Sequence, residues 1–182
     1  MSNPFGDAPF DLRSALTTQR RVMISGRLDT AKSTDAAATL MFLDGSSADP
    51  VTVVINSPGG PLVDAVGLID TIALMRAPVT IDVLGRAHGS AGLVVASAPG
   101  TRRMGASATI SLRLGDEASP DRLTAEELTS VAEATAESHR RLALAIGTRS
   151  GQTIDWVLGQ FDRGETFAPA DALDLGLIDA IR

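Results

Sequence analysis

The chain has 182 residues, of which 44% are hydrophobic and 21% charged, and this suits one globular domain with a sizeable core. Its formal net charge of −6 argues against a nucleic-acid partner, because phosphate binding needs a basic surface. The absence of cysteine excludes disulfides, a thiol nucleophile and cysteine-type zinc sites. The sequence shows no signal-peptide pattern and no apolar run of membrane-spanning length, so we expect a cytoplasmic protein without a membrane partner.

The first part of the chain alternates strand-like and helix-like patterns after a tail rich in proline and glycine, residues 1–9. Short apolar runs predict strands over 20–26, 51–56, 79–85 and 102–114. Helical patterns lie between them, over 34–45, 61–76 and 90–98. We expect Thr34 or Asp35 to cap the first of these helices and Gly45 to end it.

The second part of the chain is mostly helical and follows a polar segment at 115–121. A long helix is predicted over 123–151, because Thr124 and Glu127 have the spacing of a capping box. A short helix over 153–161 and a terminal helix and strand over 169–181 complete the prediction. Strands that alternate with helices favour an α/β fold with a largely parallel sheet.

Two glycine-containing strings follow predicted strands and are the candidates for a site. In "VVINSPGG" (53–60), two glycines let backbone N–H groups approach a ligand where side chains would block it. In "GRAHGSAG" (85–92), Ser90 begins a helix and His88 lies two residues earlier. This pair suggests a nucleophile and a base, although Ser90 is equally a preferred residue for capping the helix.

Taken together, these strings resemble the proteolytic subunit of the Clp protease, ClpP, within the ClpP/crotonase superfold. The matching strings are "FDLRSALTTQRRVMISGRLD", "VVINSPGG", "GLIDTI", "LGRAHGSAG", "TRSGQ", "DRGETF" and "DALDLGLID". The resemblance implies a single domain, 10–182, built as a superhelix of stacked βαβ units with a projecting handle helix at about 123–149. It also implies heptameric rings, two of which stack and enclose a degradation chamber.

A serine peptidase of this family needs a Ser-His-Asp triad. Counting along the match from the second glycine of the NSPGG turn, Gly60, places the nucleophile position at Gly89, one residue before Ser90. The resemblance therefore places a glycine, which has no side chain, at the position of the nucleophile.

The family histidine follows the next strand. An ungapped match places it at Leu114 and a two-residue gap places it at Leu112. No histidine occurs between His88 and His139, so the base is missing under either alignment.

The family aspartate falls at Gly164, in "DRGETF". Asp162 and Arg163 are kept, and in the family the residues at these two positions pair across the contact between rings. All three positions of the triad are lost, whereas Asp162 and Arg163, at the positions used for assembly, are kept. This combination indicates a non-catalytic paralogue. We therefore expect a homo-oligomer or mixed rings with an active ClpP paralogue.

Two other functions stay open at this stage. A serine-type peptidase or acyl hydrolase would use a shifted site of Ser90 and His88, with backbone N–H groups of Gly60 and Ser90 as oxyanion donors. A peptide- or acyl-binding module would hold its ligand in the emptied cleft without cutting it. With two histidines and no cysteine, we expect no metal and no cofactor.

An unfoldase of the AAA+ class docks on active members of the family, and the resemblance makes it a candidate partner. The family docking pocket contains a tyrosine, however, and Ile69 stands at that position in a chain without tyrosine. The docking pocket is therefore altered at this position.

Overall fold

A computed structural model describes residues 12–114 and 124–182, in which helices pack against one seven-stranded sheet and share the buried core with it. Its strands are β1 (Arg21–Ser25), β2 (Val51–Ser57), β3 (Val79–Ala87), β4 (Thr101–Met104), β5 (Thr109–Ser111), β6 (Thr166–Phe167) and β7 (Ala180–Ile181). Its helices are α1 (Leu12–Thr18), α2 (Thr30–Ser46), α3 (Leu62–Leu74), α4 (Ser90–Ser97), α5 (Ala125–Ser150), α6 (Ile154–Arg163) and α7 (Pro169–Asp174). The predicted tail at 1–9 and the polar segment at 115–121 lie outside the described residues.

The sheet is predominantly parallel, in the order β1-β2-β3-β4-β7. β5 pairs in parallel with the end of β3 and antiparallel with β6. Val53, Ile55 and Ile81 in the central strands are completely buried, as expected of parallel strands covered on both faces by helices. The predicted α/β fold, with a parallel sheet and a long helix as in ClpP, is confirmed.

The prediction for the start of α2 was wrong. The helix begins at Thr30, because the Asp29 side chain accepts the Lys32 N–H and caps it. Gly45 lies inside the helix, whose last residue is Ser46. The next helix agrees more closely with the prediction, since α3 begins directly after Pro61.

The single strand predicted over 102–114 is divided into β4 and β5. A turn at Gly105 separates them, and the Ala108 N–H donates to the Gly105 carbonyl at 2.9 Å. The pattern that predicted one strand came from Ile110 and Leu112, which are both fully buried. The short strand β6, which the sequence pattern missed, pairs with β5 and brings the end of α6 next to it.

The long helix α5 begins with the predicted capping box of Thr124 and Glu127. Its buried residues all lie in its C-terminal half, at Leu142, Ala143, Ile146 and Gly147. In the N-terminal half, Leu128 and Val131 are exposed. The C-terminal half thus anchors the helix to the body of the domain, while the first half presents an uncovered surface.

Two clusters of ion pairs connect the C-terminal strand to the rest of the sheet. Arg102, which is 1% exposed, pairs with Asp179 at 2.7 Å, and Arg149 reaches the same carboxylate at 3.2 Å. The buried Asp82 binds Arg103 at 2.6 Å and Arg182 at 2.8 Å. Because the partners come from distant parts of the chain, these ion pairs help to set the position of β7 beside β4.

Candidate functional site

The candidate site is a cleft of about 640 Å³ at the carboxyl ends of β2 and β3. The turns that follow these strands form its floor, and Ser111, Arg113, Gly164 and Thr166 form one wall. A crevice at the carboxyl ends of parallel strands is where open α/β sheets generally bind ligands.

The NSPGG turn is held rigidly at the floor of the cleft. The buried Ser57 hydroxyl accepts the Gly59 N–H at 3.0 Å, and the Gly59 carbonyl accepts the Leu28 N–H at 3.0 Å. A Cβ at Gly60 would lie 1.6 Å from the Leu28 carbonyl oxygen, so only glycine fits there. Glycine at 60 thus permits the close approach of two backbone segments.

Gly89 forms the turn between the end of β3 and the start of α4. Its backbone has φ +56° and ψ −132°, a conformation that residues with side chains adopt only under strain. A single strained residue between a strand and a helix is also the position of the nucleophile in the nucleophile elbow of hydrolases. A Cβ there would lie 3.3 Å from the Arg113 carbonyl and 3.4 Å from the Pro58 carbonyl, so the site is crowded but not closed.

Ser90 is 1% exposed and does not cap α4 as predicted. The N-cap is Gly89, and Ser90 is the first residue of the helix. Its hydroxyl oxygen accepts the Gly60 N–H at 2.9 Å instead. Ser90 therefore joins the two glycine turns across the floor of the cleft.

This hydrogen bond bears directly on the predicted oxyanion donors. The Gly60 N–H is occupied by the Ser90 hydroxyl, whereas the Ser90 N–H has no acceptor among the residues that the structure describes. An anion at this point would bind both donors only after the Ser90 hydroxyl rotates away from Gly60.

His88 lines the same cleft, but its hydrogen bonds lead away from Ser90. Its Nε2 atom lies 2.8 Å from the Thr109 Oγ1 atom, and its backbone N–H donates to the Ser57 carbonyl at 3.0 Å. Burial of the imidazole and, secondarily, the charge of Arg86 lower the pKa of His88 below its usual 6.5. Across the described residues, no hydrogen bond joins His88 to Ser90, so the two side chains are not arranged as base and nucleophile.

The two leucines that align with the family histidine do not line the cleft. Leu112 is fully buried, and the Leu114 N–H donates to the Phe161 carbonyl at 3.1 Å. Ser111 and Arg113 face the cleft instead, and sequence reasoning missed both. The alternation of a strand would have identified them, because Ile110 and Leu112 point into the core.

Gly164 ends α6 in the left-handed conformation, with φ +64°. A Cβ there would lie 2.7 Å from Cδ and 2.9 Å from Cβ of Arg113. The stem of Arg113 thus packs across the position that the resemblance assigns to the triad aspartate. Its neighbour Glu165 accepts a hydrogen bond from Gln160 at 3.0 Å and is not among the residues that line the cleft.

A protein-family model described as Clp protease matches residues 6–182 of the chain. The chain belongs to the Clp protease family. Members of this family form oligomeric rings. The family match supports a ClpP-like subunit and agrees with the long helix and the parallel sheet, at whose strand ends the cleft lies.

Within this Clp protease family member, Asp162 and Arg163 occupy the last turn of α6 and are exposed. The Arg163 side chain lies 3.6 Å from Glu165, a loose surface pair. Both residues therefore remain available to a second subunit, although Arg163 would exchange its contact with Glu165 for a new one.

Metal-ligating clusters and membrane-spanning helices are both absent from residues 12–114 and 124–182. No group of three or more His, Cys, Asp or Glu side chains is placed there to hold a metal ion. No helix in those ranges is long and apolar enough to cross a membrane.

Proposed function

We propose that this chain is a non-catalytic subunit of a Clp-type peptidase ring, with a structural or regulatory role. The observation that carries the proposal is Gly89, which occupies the strained turn between β3 and α4 where a nucleophile would stand. The base and acid positions are also unsuitable for a triad. Leu112 is buried in the core, and Gly164 lies beneath the stem of Arg113.

The side chains that do reach the cleft offer no substitute triad. Ser90 is buried and holds the Gly60 N–H, and His88 is hydrogen-bonded to Thr109. Among the residues that the structure describes, no carboxylate lines the cleft. Hydroxyls of Ser111 and Thr166 also line the cleft, but no described histidine and carboxylate are aligned on either of them, so acyl transfer lacks its first step.

Exposed apolar side chains on neighbouring helices support assembly. Met41 and Phe42 are exposed on α2, and Val63 and Leu74 are exposed on α3. Large apolar surfaces of this kind often mark sites of protein–protein contact. We propose that they are covered by adjacent subunits in a heptameric ring, and that two rings stack through α5, Asp162 and Arg163.

The composition of the rings is a separate part of the proposal. They consist either of this chain alone or of this chain together with an active ClpP paralogue. In a mixed ring, the degenerate subunit would complete the wall of the chamber while the paralogue supplies the triad.

Two measurements on the purified full chain test the proposal. Native mass spectrometry should show a heptamer or a tetradecamer, either alone or after co-expression with an active ClpP paralogue from the same genome. Arg163→Glu should weaken pairing of the rings, while Arg86→Glu, at an exposed position of β3 outside the surfaces proposed for assembly, serves as the charge-matched control. A monomer under all these conditions would contradict the assembly proposal.

The second measurement is turnover of a fluorogenic peptide by the purified chain. We expect no turnover above background and no labelling by a fluorophosphonate probe. Turnover or labelling that Ser90→Ala abolishes and Ser130→Ala preserves would overturn the proposal and establish the shifted hydrolase site. Ser130 is exposed on α5 and controls for the loss of a hydroxyl.

A further inference from the structure

Two positively charged side chains line the degenerate cleft. They are Arg27 and Arg113, and no aspartate or glutamate of residues 12–114 and 124–182 lines it. Within the described part of the chain, neither guanidinium makes a hydrogen bond or an ion pair. Three other arginines differ, because Arg102, Arg103 and Arg149 each bind a carboxylate of this chain.

The two arginines flank the two glycine turns. Arg27 directly precedes Leu28, whose carbonyl packs against Gly60. Arg113 contributes the carbonyl nearest to Gly89, and its side-chain stem crosses Gly164. A ligand above the glycine turns would therefore lie beside the chain segments that carry both arginines.

The size and lining of the cleft favour an organic anion over an inorganic one. Its volume of about 640 Å³ lies within the usual range for small-molecule sites, whereas a phosphate ion fills only a small part of such a space. Pro58 and Pro61 add apolar surface beside the glycines. A guanidinium binds a carboxylate through two parallel hydrogen bonds, so the arginines match a ligand with a terminal carboxylate.

We propose that the cleft beside Gly89 binds the C-terminal carboxylate of a peptide through Arg27 and Arg113 without cutting the peptide. The assignment to a peptide rests on the proposed function, because each cut by an active subunit of the same ring releases a new C-terminal carboxylate into the chamber. The degenerate subunit would then retain or sense peptide products in place of making them.

The test compares fluorescein-labelled pentaalanine as the free acid with its C-terminal amide, by fluorescence anisotropy on the purified full chain. We expect the free acid to bind at least about tenfold more tightly, since hydrogen bonds from a guanidinium to a charged carboxylate are stronger than those to a neutral amide. Arg113→Gln and Arg27→Gln should each remove most of this difference. The control Arg141→Gln, on exposed α5, should leave it unchanged.

Four outcomes would overturn the proposal. Equal affinity of acid and amide, or no binding of either up to about 1 mM, would exclude recognition of the carboxylate. If melting temperatures show that both arginine variants are folded, and both still prefer the free acid to the amide by the full factor, then Arg27 and Arg113 do not bind the carboxylate. Competition by inorganic phosphate that exceeds competition by acetate at equal concentration would assign the cleft to phosphates instead.

This binding test can fail independently of the proposed function. It needs neither an active paralogue nor an assembled ring, and mass spectrometry of the recovered peptide shows whether it was cut. A bound and intact peptide supports the inference, whereas assembly and turnover are judged by the separate measurements above.

Discussion

The Ser90 hydroxyl oxygen accepts the backbone N–H of Gly60 at 2.9 Å, across two turns that lie 30 residues apart in the chain. This contact converts the serine beside the candidate site into a structural element. The bond occupies the Gly60 N–H, which the oxyanion of a reaction intermediate would need as a donor. The Ser90 hydroxyl, which a shifted mechanism would use as nucleophile, is buried.

Ser90→Ala should lower the free energy of unfolding by about 1–2 kcal/mol, because the Gly60 N–H loses its acceptor in a part-buried site. Urea denaturation against the exposed control Ser130→Ala, which should change little, measures the effect. Equal stability of the two variants would show that water replaces the hydroxyl without cost.

Gly89→Ala should also destabilise the protein, by about 1–3 kcal/mol, since alanine must adopt φ +56° and ψ −132°. The matched control is Gly45→Ala at an exposed position of α2, where an added Cβ meets no atom within 4 Å. That variant should gain about 0.5–1 kcal/mol from improved helix propensity. Thermal melts of the two variants should therefore move in opposite directions, and a stabilising Gly89→Ala would refute the strained turn.

The positions of the main strands and helices could be predicted from local patterns. Apolar runs identified β2 and β3, and the capping box identified the start of α5, because burial and capping leave periodic signals in the sequence. The start of α2 could not be placed from its pattern alone, since three residues are suitable caps and the structure uses Asp29 in place of Thr34 or Asp35.

Sequence reasoning singled out residues at the floor of the cleft and missed those at its wall. Counting from Gly60 placed the nucleophile position at Gly89, and the positive φ of Gly89 agrees with a special role for that turn. The approach of Arg113 to Gly164 depends on the pairing of β5 with β6, a long-range contact that no local pattern encodes. The hydrogen bond between Ser90 and Gly60 could not be predicted from local patterns either, because it joins residues that lie far apart in the chain.

Asp179→Asn should destabilise the protein by about 3 kcal/mol, because it leaves the buried Arg102 guanidinium without a counter-charge. Glu137→Gln, which breaks the exposed pair with Arg141, is the matched control and should cost about 0.5 kcal/mol or less. Urea denaturation at neutral pH compares them. Similar losses for both would mean that Arg102 finds other acceptors.

The same ion pair predicts a loss of stability in acid. Burial raises the pKa of Asp179, but hydrogen bonds from the Arg102 side chain and backbone, and the charges of Arg102 and Arg149, outweigh it and lower the pKa below 3.8. The stabilising contribution is therefore present above pH 3.8 and is lost as the pH falls below that value. The stability difference between the unmodified protein and Asp179→Asn should shrink at low pH, and a constant difference would contradict this linkage.

His88 predicts a separate pH dependence in a higher range. Because burial and Arg86 lower its pKa, the unfolded chain binds a proton more readily than the folded protein just below pH 6.5. Stability should consequently fall as the pH drops from 6.5 towards the folded pKa, and His88→Gln should reduce this dependence. The variant His139→Asn leaves His88 as the one histidine of the chain, so its ring signals can be followed directly by NMR. A titration midpoint at or above 6.5 would show that the imidazole is better solvated, or better paired, than its contact with Thr109 implies.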